Sequence, residues 1–192
     1  MHRYYHLTTH PALHPPEMVH AKDYDAARDA MRENKPYPRA FSADEFAPDS
    51  LCFTDFIKVD AAIPMVSKRF RDAMLGANMD DFLFYETIVM YGPENLMNWI
   101  GDDVGGLYCA TYRHVVDVID DIDPVRFWPH LKRFKAENFV VTRPLPEGAM
   151  VAVDRERPYM PICTEGFKTW CEEQKLNVGF FELPTFVADA PS

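Results

Sequence analysis

The chain contains one sequence pattern twice, and this repeat limits the folds that it can adopt. The first copy begins as IPMVSKRF at 63–70, and the second begins as MPICTEGF at 160–167. Each copy closes on an aromatic segment that ends in glutamate, FLFYE at 82–86 and GFFE at 179–182. A proline, a hydroxyl side chain that can cap a helix, a run with helical spacing and a strand-forming segment follow in the same order. The repeat predicts two similar units, each a capped helix followed by a strand.

The helix of each unit is predicted from its cap and from apolar residues at helical spacing. Ser67 is the cap of the first unit, and Thr164 is the cap of the second. The expected buried face of the first helix is Val66, Phe70, Ala73, Met74 and Ala77. The expected face of the second is Phe167, Trp170 and Cys171. We expect each face to pack on the aromatic strand of its own unit.

The segments around the two units complete the prediction of the fold. Strands are predicted at 3–7, 51–53, 56–59, 106–112, 139–141 and 150–153, and helices at 23–34 and 124–134. Either a strand or a short helix fits 114–119. These elements lack the regular alternation of a doubly wound sheet. The sequence therefore predicts the α+β class, with mixed sheets, the two capped-helix-then-strand units and a few additional helices.

A single domain is predicted to span residues 1–192. Its parts are an N-terminal strand, helix and Pro-rich linker (1–50), the first helix-strand unit (51–90), a charged middle (91–157) and the second helix-strand unit (158–186). Hydrophobic residues make up 47% of the chain and aromatic residues 14%, which is typical of a folded protein and not of a disordered one.

The charge of the chain restricts its partners. The formal net charge is −10 at pH 7. This charge disfavours nucleic acid and anionic membranes, because both attract clustered Lys and Arg. An acidic surface suits solubility or a basic protein partner instead. We see no signal peptide, no stretch long and apolar enough to span a bilayer, and no Cys-x-x-Cys among the four cysteines, so we expect a cytoplasmic protein.

The N-terminal histidines are the first candidate for a chemical site. They recur every four residues, at His2, His6, His10 and His14. On one helix they would form a metal-binding face. Pro11 interrupts any such helix and the segment begins as a strand, so we expect surface histidines and no metal site.

Two other candidates are weaker. Asp121 and Asp123 could hold a divalent cation through oxygen ligands, but they belong to an acidic run that is expected to face water. Cys163 or Cys171 with His114 or His130 could form a nucleophile and its base. Because Cys171 falls at the position of Met74 in the repeat, the core interpretation is favoured. We predict no catalytic residue, no cofactor and no metal.

The charged residues between the two units are distributed unevenly. From 101 to 123 there are six aspartates and a single basic residue, Arg113. The next stretch reverses this pattern, with Arg126, Lys132, Arg133, Lys135 and Arg143 against Glu137. Two interpretations stay open. The two stretches pair with each other or face water, or the acidic stretch is a docking surface that steers a cationic partner.

Three segments resemble the immunity-protein-eleven family. They are PMVSKRFR at 64–71, LYCAT at 107–111 with VVDVID at 115–120, and MPICT at 160–164 with its closing FFE. The resemblance spans residues 50–186, and the family lies beside polymorphic and type VI secreted toxins of bacteria. It implies a cytoplasmic immunity protein that binds and neutralises a cognate toxin or effector. The family offers no catalytic residues to transfer.

Charge pattern and resemblance together predict a partner-binding surface in the charged middle. Its candidate charges are Asp102, Asp103, Asp117, Asp120, Asp121 and Asp123, and its candidate aromatic anchors are Tyr91, Trp99 and Trp128. The expected partner is the toxin, with a basic surface. Two alternatives stay open: an enzyme with an unrecognised, metal-assisted site, and a self-associating structural module that forms a homodimer.

Overall fold

The fold is known from a computed structural model. It describes residues 3–8, 20–21, 24–36, 41–42, 55–58, 64–86, 89–91, 94–95, 107–121 and 139–185. Within these residues the chain forms three helices, α1 (Tyr24–Arg32), α2 (Lys68–Gly76) and α3 (Glu165–Glu173). The combination of helices with several sheets confirms the predicted α+β class.

Fifteen strands lie in the described residues. They are β1 (Tyr4–Thr8), β2 (His20–Ala21), β3 (Phe41–Ser42), β4 (Phe56–Lys58), β5 (Pro64–Ser67), β6 (Phe82–Glu86), β7 (Val89–Tyr91), β8 (Glu94–Asn95), β9 (Leu107–Tyr112), β10 (Val115–Val116), β11 (Ile119–Asp121), β12 (Phe139–Val141), β13 (Val151–Asp154), β14 (Pro161–Thr164) and β15 (Gly179–Leu183). The two larger sheets have the strand orders β4-β5-β9-β6 and β10-β13-β14-β1-β15. The smaller ones are β2-β3-β7-β8 and β11-β12. Only β3–β7 and β10–β13 are parallel pairs among these strands.

Most of the predicted elements that fall on described residues are confirmed. The segment 114–119, for which a strand or a short helix was predicted, contains β10 and the start of β11, so the strand alternative is correct. β3 lies within the stretch predicted as a Pro-rich linker. The predicted strand at 51–53 and helix at 124–134 lie outside the described residues.

The repeat in the sequence is also a repeat in the topology. In the first unit, β9 lies between β5 and β6 and is antiparallel to both. In the second unit, β1 lies between β14 and β15 and is antiparallel to both. An outer strand completes each set, β4 beside β5 and β13 beside β14. Each unit therefore consists of a helix, the two strands that flank it in sequence, and two strands contributed from elsewhere in the chain.

The strand registers define which residues are equivalent. Val66 lies opposite Tyr108, and Cys163 lies opposite Tyr5. Tyr108 and Tyr5 therefore occupy the same place in the two units. Tyr108 also lies opposite Glu86, while Tyr5 lies opposite Glu182, so the closing glutamates are equivalent too.

The helices begin and end in the same way. The Ser67 hydroxyl accepts a hydrogen bond from the Phe70 N–H at 3.0 Å, and the Thr164 hydroxyl accepts one from the Phe167 N–H at 3.2 Å. Both predicted caps are thus confirmed. Each helix is followed by a left-handed residue, Asn78 with φ 54° and Lys175 with φ 56°. This conformation turns the chain back towards its sheet.

The two caps are expected to differ in their effect on stability. Thr164→Ala should lower the free energy of unfolding by about 1 kcal/mol, because the Phe167 N–H loses its acceptor. Ser67→Ala should cost about 2 kcal/mol, since the Ser67 hydroxyl also donates to the buried Asp55 carboxylate at 2.6 Å. Urea denaturation of both variants measures the difference. Equal losses would mean that the Ser67–Asp55 bond adds no stability.

Both helices bury their apolar faces in one common core. Phe82 of β6 contacts Phe70 at 5.7 Å and Phe167 at 6.4 Å between ring centroids, and Phe70 contacts Phe167 at 6.5 Å. Phe70 contacts Phe82 of β6, which confirms for the first unit that the helix packs on its own aromatic strand. Phe167 shares a core cluster with Phe180 of β15 and in addition contacts rings of the first unit, which was not predicted. Ala77 is exposed, not buried as predicted, because α2 ends at Gly76.

A second core cluster involves the small sheet β11-β12. Val118, Ile119, Phe139 and Val141 are buried there. They meet residues of the five-stranded sheet, which are Tyr4, Ala152, Ile162 and Leu183. Since side chains alternate along a strand, Tyr4 belongs to this cluster while its neighbour Tyr5 belongs to the common core.

Two buried aspartates join the units to each other. Asp55 precedes β4, and its N–H donates to the Asn177 carbonyl at 3.1 Å, while its carboxylate accepts from the Asn177 N–H at 2.7 Å. Asp81 precedes β6, and its carboxylate accepts from the N–H groups of Met150 and Val151 at 2.7 and 2.9 Å. The turn before β15 of the second unit thus bonds to the start of β4 in the first unit. The turn before β6 of the first unit bonds to the start of β13 in the second unit. The units are therefore tied together reciprocally.

Candidate functional site

The predicted partner-binding residues fall partly on described positions. Tyr91 lies in β7, Asp117 precedes β11, and Asp120 and Asp121 lie in β11. Asp117 and Asp120 are exposed. Outside the described residues lie Asp102, Asp103, Asp123, Trp99 and Trp128. The structure therefore brings Asp117, Asp120 and Asp121 together along one short stretch of backbone.

Residues 117–120, the acidic turn, are held by a buried carboxylate. Asp154, at the end of β13, is 1% exposed. Its Oδ2 accepts hydrogen bonds from the N–H groups of Val118 and Ile119 at 3.1 and 3.0 Å. A buried carboxylate that accepts two backbone bonds fixes the path of the chain.

The carbonyl groups of the acidic turn are bonded as well. Arg143 Nη1 donates to the Asp117 carbonyl at 3.2 Å, and Arg157 Nη1 donates to the Ile119 carbonyl at 3.0 Å. The Val118 carbonyl accepts from the Thr142 N–H at 2.9 Å. Because Val118 and Ile119 also bury their side chains, the acidic turn presents Asp117 and Asp120 on a fixed backbone.

The charges of the acidic turn are partly compensated. The Asp117 carboxylate lies 3.4 Å from Arg155 Nε, in a pair whose two side chains are both more than half exposed. Such a pair is weak and competes with water. Asp120 has no ion-pair partner among the described residues. Arg143 belongs to the basic stretch that follows the acidic one in the sequence. Its bond to the Asp117 carbonyl is therefore one contact between the acidic and the basic stretches, as the pairing interpretation expects.

Asp154 is not among the site residues that the sequence predicts. It ends the apolar run of β13, and its Oδ1 accepts from the N–H groups of Glu156 and Arg157, both at 3.1 Å. An Asp that bonds to backbone two and three residues further on is typical of a turn. The sequence could have indicated this turn. It could not have indicated that the other carboxylate oxygen holds the acidic turn 35 residues upstream.

A second surface feature is the α2–β6 groove, an open groove of about 450 Å³. It lies between α2 and the edge strand β6. Its lining includes Arg71, Leu75, Met79, Leu83, Phe84 and Glu86. Leu75 and Leu83 are 56% and 37% exposed, so two exposed leucines line the same groove.

The second unit provides an internal comparison for this groove. Arg71 stacks over the Tyr108 ring at 4.0 Å, and the equivalent Lys168 lies over the equivalent Tyr5 ring at 5.5 Å. The position of Leu75 is taken by Glu172, which pairs with Lys168 at 2.8 Å. The position of Leu83 is taken by a glycine. The first unit therefore has leucine side chains at two positions where the second unit has a glutamate and a glycine.

The buried thiols lie in the core. Cys109, Cys163 and Cys171 are free and buried. Burial raises the pKa of the Cys163 and Cys171 thiols, which keeps them protonated and poorly nucleophilic. Cys171 and Met74 are both fully buried, as their equivalence predicts.

In the described ranges, no three His, Cys, Asp or Glu side chains come together in a way that could hold a metal ion. His6 lies in β1, and the other three N-terminal histidines lie outside the described residues. None of the helices seen here is long and apolar enough to cross a bilayer.

Comparison with known protein families and with curated proteins gives no relative. No model of a known protein family matches the sequence. No curated protein matches it significantly. The resemblance noted in the sequence analysis stays a prediction.

Proposed function

We propose that this chain is an immunity protein that binds a cognate secreted toxin and neutralises it by direct contact. The observation that carries this proposal is the acidic turn. Five backbone groups of residues 117–119 are hydrogen-bonded, and Asp117 and Asp120 project from them into solvent. A surface that is ordered before binding loses little conformational entropy when the partner arrives.

The expected partner is a toxin domain with a basic surface. The net charge of −10 attracts such a partner over a distance, and the acidic turn gives the attraction a fixed point of contact. The resemblance to the immunity-protein-eleven family suggests the toxin class and a cytoplasmic site of action. In this mechanism the immunity protein covers the active site of the toxin or blocks a motion that the toxin needs, and its own residues catalyse no step.

The partner can be sought with the tagged full-length chain in cells of the source organism. The captured protein is identified by mass spectrometry, purified separately and bound to the immobilised chain on a biosensor. The proposal expects a saturable complex with a secreted protein that stops growth when it is expressed alone. Capture of housekeeping proteins only would contradict it.

Charge reversal of the acidic turn is expected to slow association with that toxin. Asp117→Lys combined with Asp120→Lys should lower the association rate constant about tenfold or more at low salt, and less at high salt. The matched control is Glu147→Lys with Glu173→Lys, which changes the net charge equally at two other exposed positions. If both double variants slow association to the same extent, the acidic turn has no specific role.

A further inference from the structure

β6 lies at the edge of its sheet, and the hydrogen bonds show which of its residues face outward. In an antiparallel pair, residues that bond to the partner strand alternate with residues whose N–H and C=O point away from it. The Arg113 N–H donates to the Asp81 carbonyl at 2.8 Å, which marks this as a bonded pair. The alternation directs the backbone groups of Phe82, Phe84 and Glu86 away from β9.

The Asn34 side chain gives an independent check of this assignment. It donates to the Tyr112 carbonyl and accepts from the Tyr112 N–H at 2.9 Å. Tyr112 lies opposite Phe82 in the register. Since Asn34 occupies both backbone groups of Tyr112, Phe82 directs its own groups to the outer edge.

The equivalent edge of the second unit already binds a strand. Its outward row contains Phe180 and Glu182, the equivalents of Phe84 and Glu86, and continues to Pro184. The Pro184 carbonyl accepts from the Val141 N–H at 2.9 Å, beside the bridge between Val141 and Thr185. β12 therefore occupies the end of that edge. In the part of the chain that the structure describes, no strand pairs with the outer side of β6.

We propose that the outer edge of β6 is a homodimer interface, where β6 pairs antiparallel with β6 of a second copy about a two-fold axis at Phe84. This register lets all three outward residues of each strand pair, with Phe84 opposite Phe84 and Phe82 opposite Glu86. On the other face, Leu83 lies opposite Tyr85. The Phe84–Phe84 and Leu83–Tyr85 pairs are aromatic and apolar pairs of the kind that stabilise sheets, and no like charges are directly opposite.

The α2–β6 groove and the charges at its ends fit this arrangement. Phe84 of the second copy enters the groove beside Leu75, whose exposed side chain it covers. Each Glu86 arrives at the end of β6 where Arg113 lies exposed, bonded to the Asp80 carbonyl at 2.6 Å and lying 3.3 Å from the Asp80 carboxylate. Because this ion pair is exposed and therefore weak, Arg113 can also pair with the incoming Glu86, and the surface is complementary to itself in shape and charge. The interface shares no residue with the acidic turn, and the inference does not depend on toxin binding.

The solution mass of the full-length chain is the first test. Sedimentation equilibrium is expected to show a mass that rises with concentration from 22.2 kDa to twice that value. A mass of one chain up to the highest soluble concentration would overturn the proposal.

Cysteine variants test the register. Leu83 and Tyr85 face each other across the axis as a non-bonded pair, with Cα atoms about 4.5 Å apart, which a disulfide can bridge. A mixture of Leu83→Cys and Tyr85→Cys chains should form a covalent dimer under mild oxidation, and neither variant alone should do so. Cross-linking of one variant with itself, at the yield of the mixture, would overturn the Phe84-centred pairing. The unsubstituted chain controls for its native cysteines.

Proline variants test the backbone bonds. Glu86→Pro removes an outward N–H and leaves the bonds to β9 intact, so the dimer dissociation constant should rise about tenfold or more. Glu182→Pro, at the equivalent place in the second unit, should leave it unchanged. Leu75→Glu keeps the backbone and introduces the residue that the second unit carries there, and it should also weaken the dimer. Equal dissociation constants for Glu86→Pro, Leu75→Glu and the unsubstituted chain would overturn the proposal.

Discussion

Phe82→Ala is expected to lower the free energy of unfolding by about 4 kcal/mol. The Phe82 ring is almost fully buried and contacts Phe70, Phe84, Tyr112 and Phe167. Because Phe70 belongs to α2 of the first unit and Phe167 to α3 of the second, the cavity left by the substitution would loosen both units. Urea denaturation followed by circular dichroism measures the loss.

Its control lies one residue further along the same strand. Leu83 faces the opposite side of β6 and is partly exposed, so Leu83→Ala should cost about 1 kcal/mol or less. Because the two units share one core, we expect Phe82→Ala to unfold both units in a single transition. The buried Cys171 thiol of the second unit should become reactive at the same urea concentration at which the ellipticity is lost. Reactivity of Cys171 in a separate transition would show that the two units unfold independently.

Asp55→Ala is expected to cost about 3 kcal/mol. Asp55 is 4% exposed, and its carboxylate accepts from Ser67, from the Asn177 N–H and from the Arg69 guanidinium. Its removal leaves the Ser67 hydroxyl and the Asn177 N–H buried without this acceptor. It also breaks one of the two reciprocal ties between the units.

Asp72→Ala is the matched control for Asp55. Like Asp55, Asp72 accepts hydrogen bonds from cationic side chains, here those of Lys68 and Arg71, but it does so on the solvent side of α2. Water screens those bonds, so the loss should stay below about 1 kcal/mol. Similar losses for Asp55→Ala and Asp72→Ala, measured by urea denaturation, would show that burial of Asp55 has no energetic consequence.

The local parts of the fold could be predicted from the sequence. Ser67 and Thr164 cap helices because a hydroxyl followed by helical spacing satisfies free N–H groups wherever it occurs. The equivalence of Cys171 with Met74 also holds, since both follow their caps at the same distance. Each of these inferences depends on fewer than ten consecutive residues.

The long-range parts could not be predicted in this way. β1 and β9 insert between the strands of the two units, and no local pattern states which strand a segment will pair with. Asp55, Asp81 and Asp154 resemble solvent-exposed loop residues in the sequence. They are buried because their partners, such as Asn177 for Asp55, arrive from distant parts of the chain.

The candidate surfaces also combine local features that the sequence predicts with long-range features that it does not. The excess of aspartate between 101 and 123 is visible in the sequence, and it led to Asp117 and Asp120. The bracing of the acidic turn by Asp154 and Arg157 appears only in three dimensions. The outward row of β6 likewise follows only from its pairing with β9, and the bonds of Asn34 to Tyr112 are consistent with it.

Growth rescue tests the central claim most directly. The secreted protein captured with this chain is expressed from an inducible promoter in a bacterial host, with and without this chain in the same cytoplasm. We predict that growth stops when the captured protein is expressed alone and is restored when the unsubstituted chain is present. The Asp117→Lys, Asp120→Lys double variant should restore growth less well. Growth arrest that persists at full expression of the folded, unsubstituted chain would contradict the proposal that this protein confers immunity.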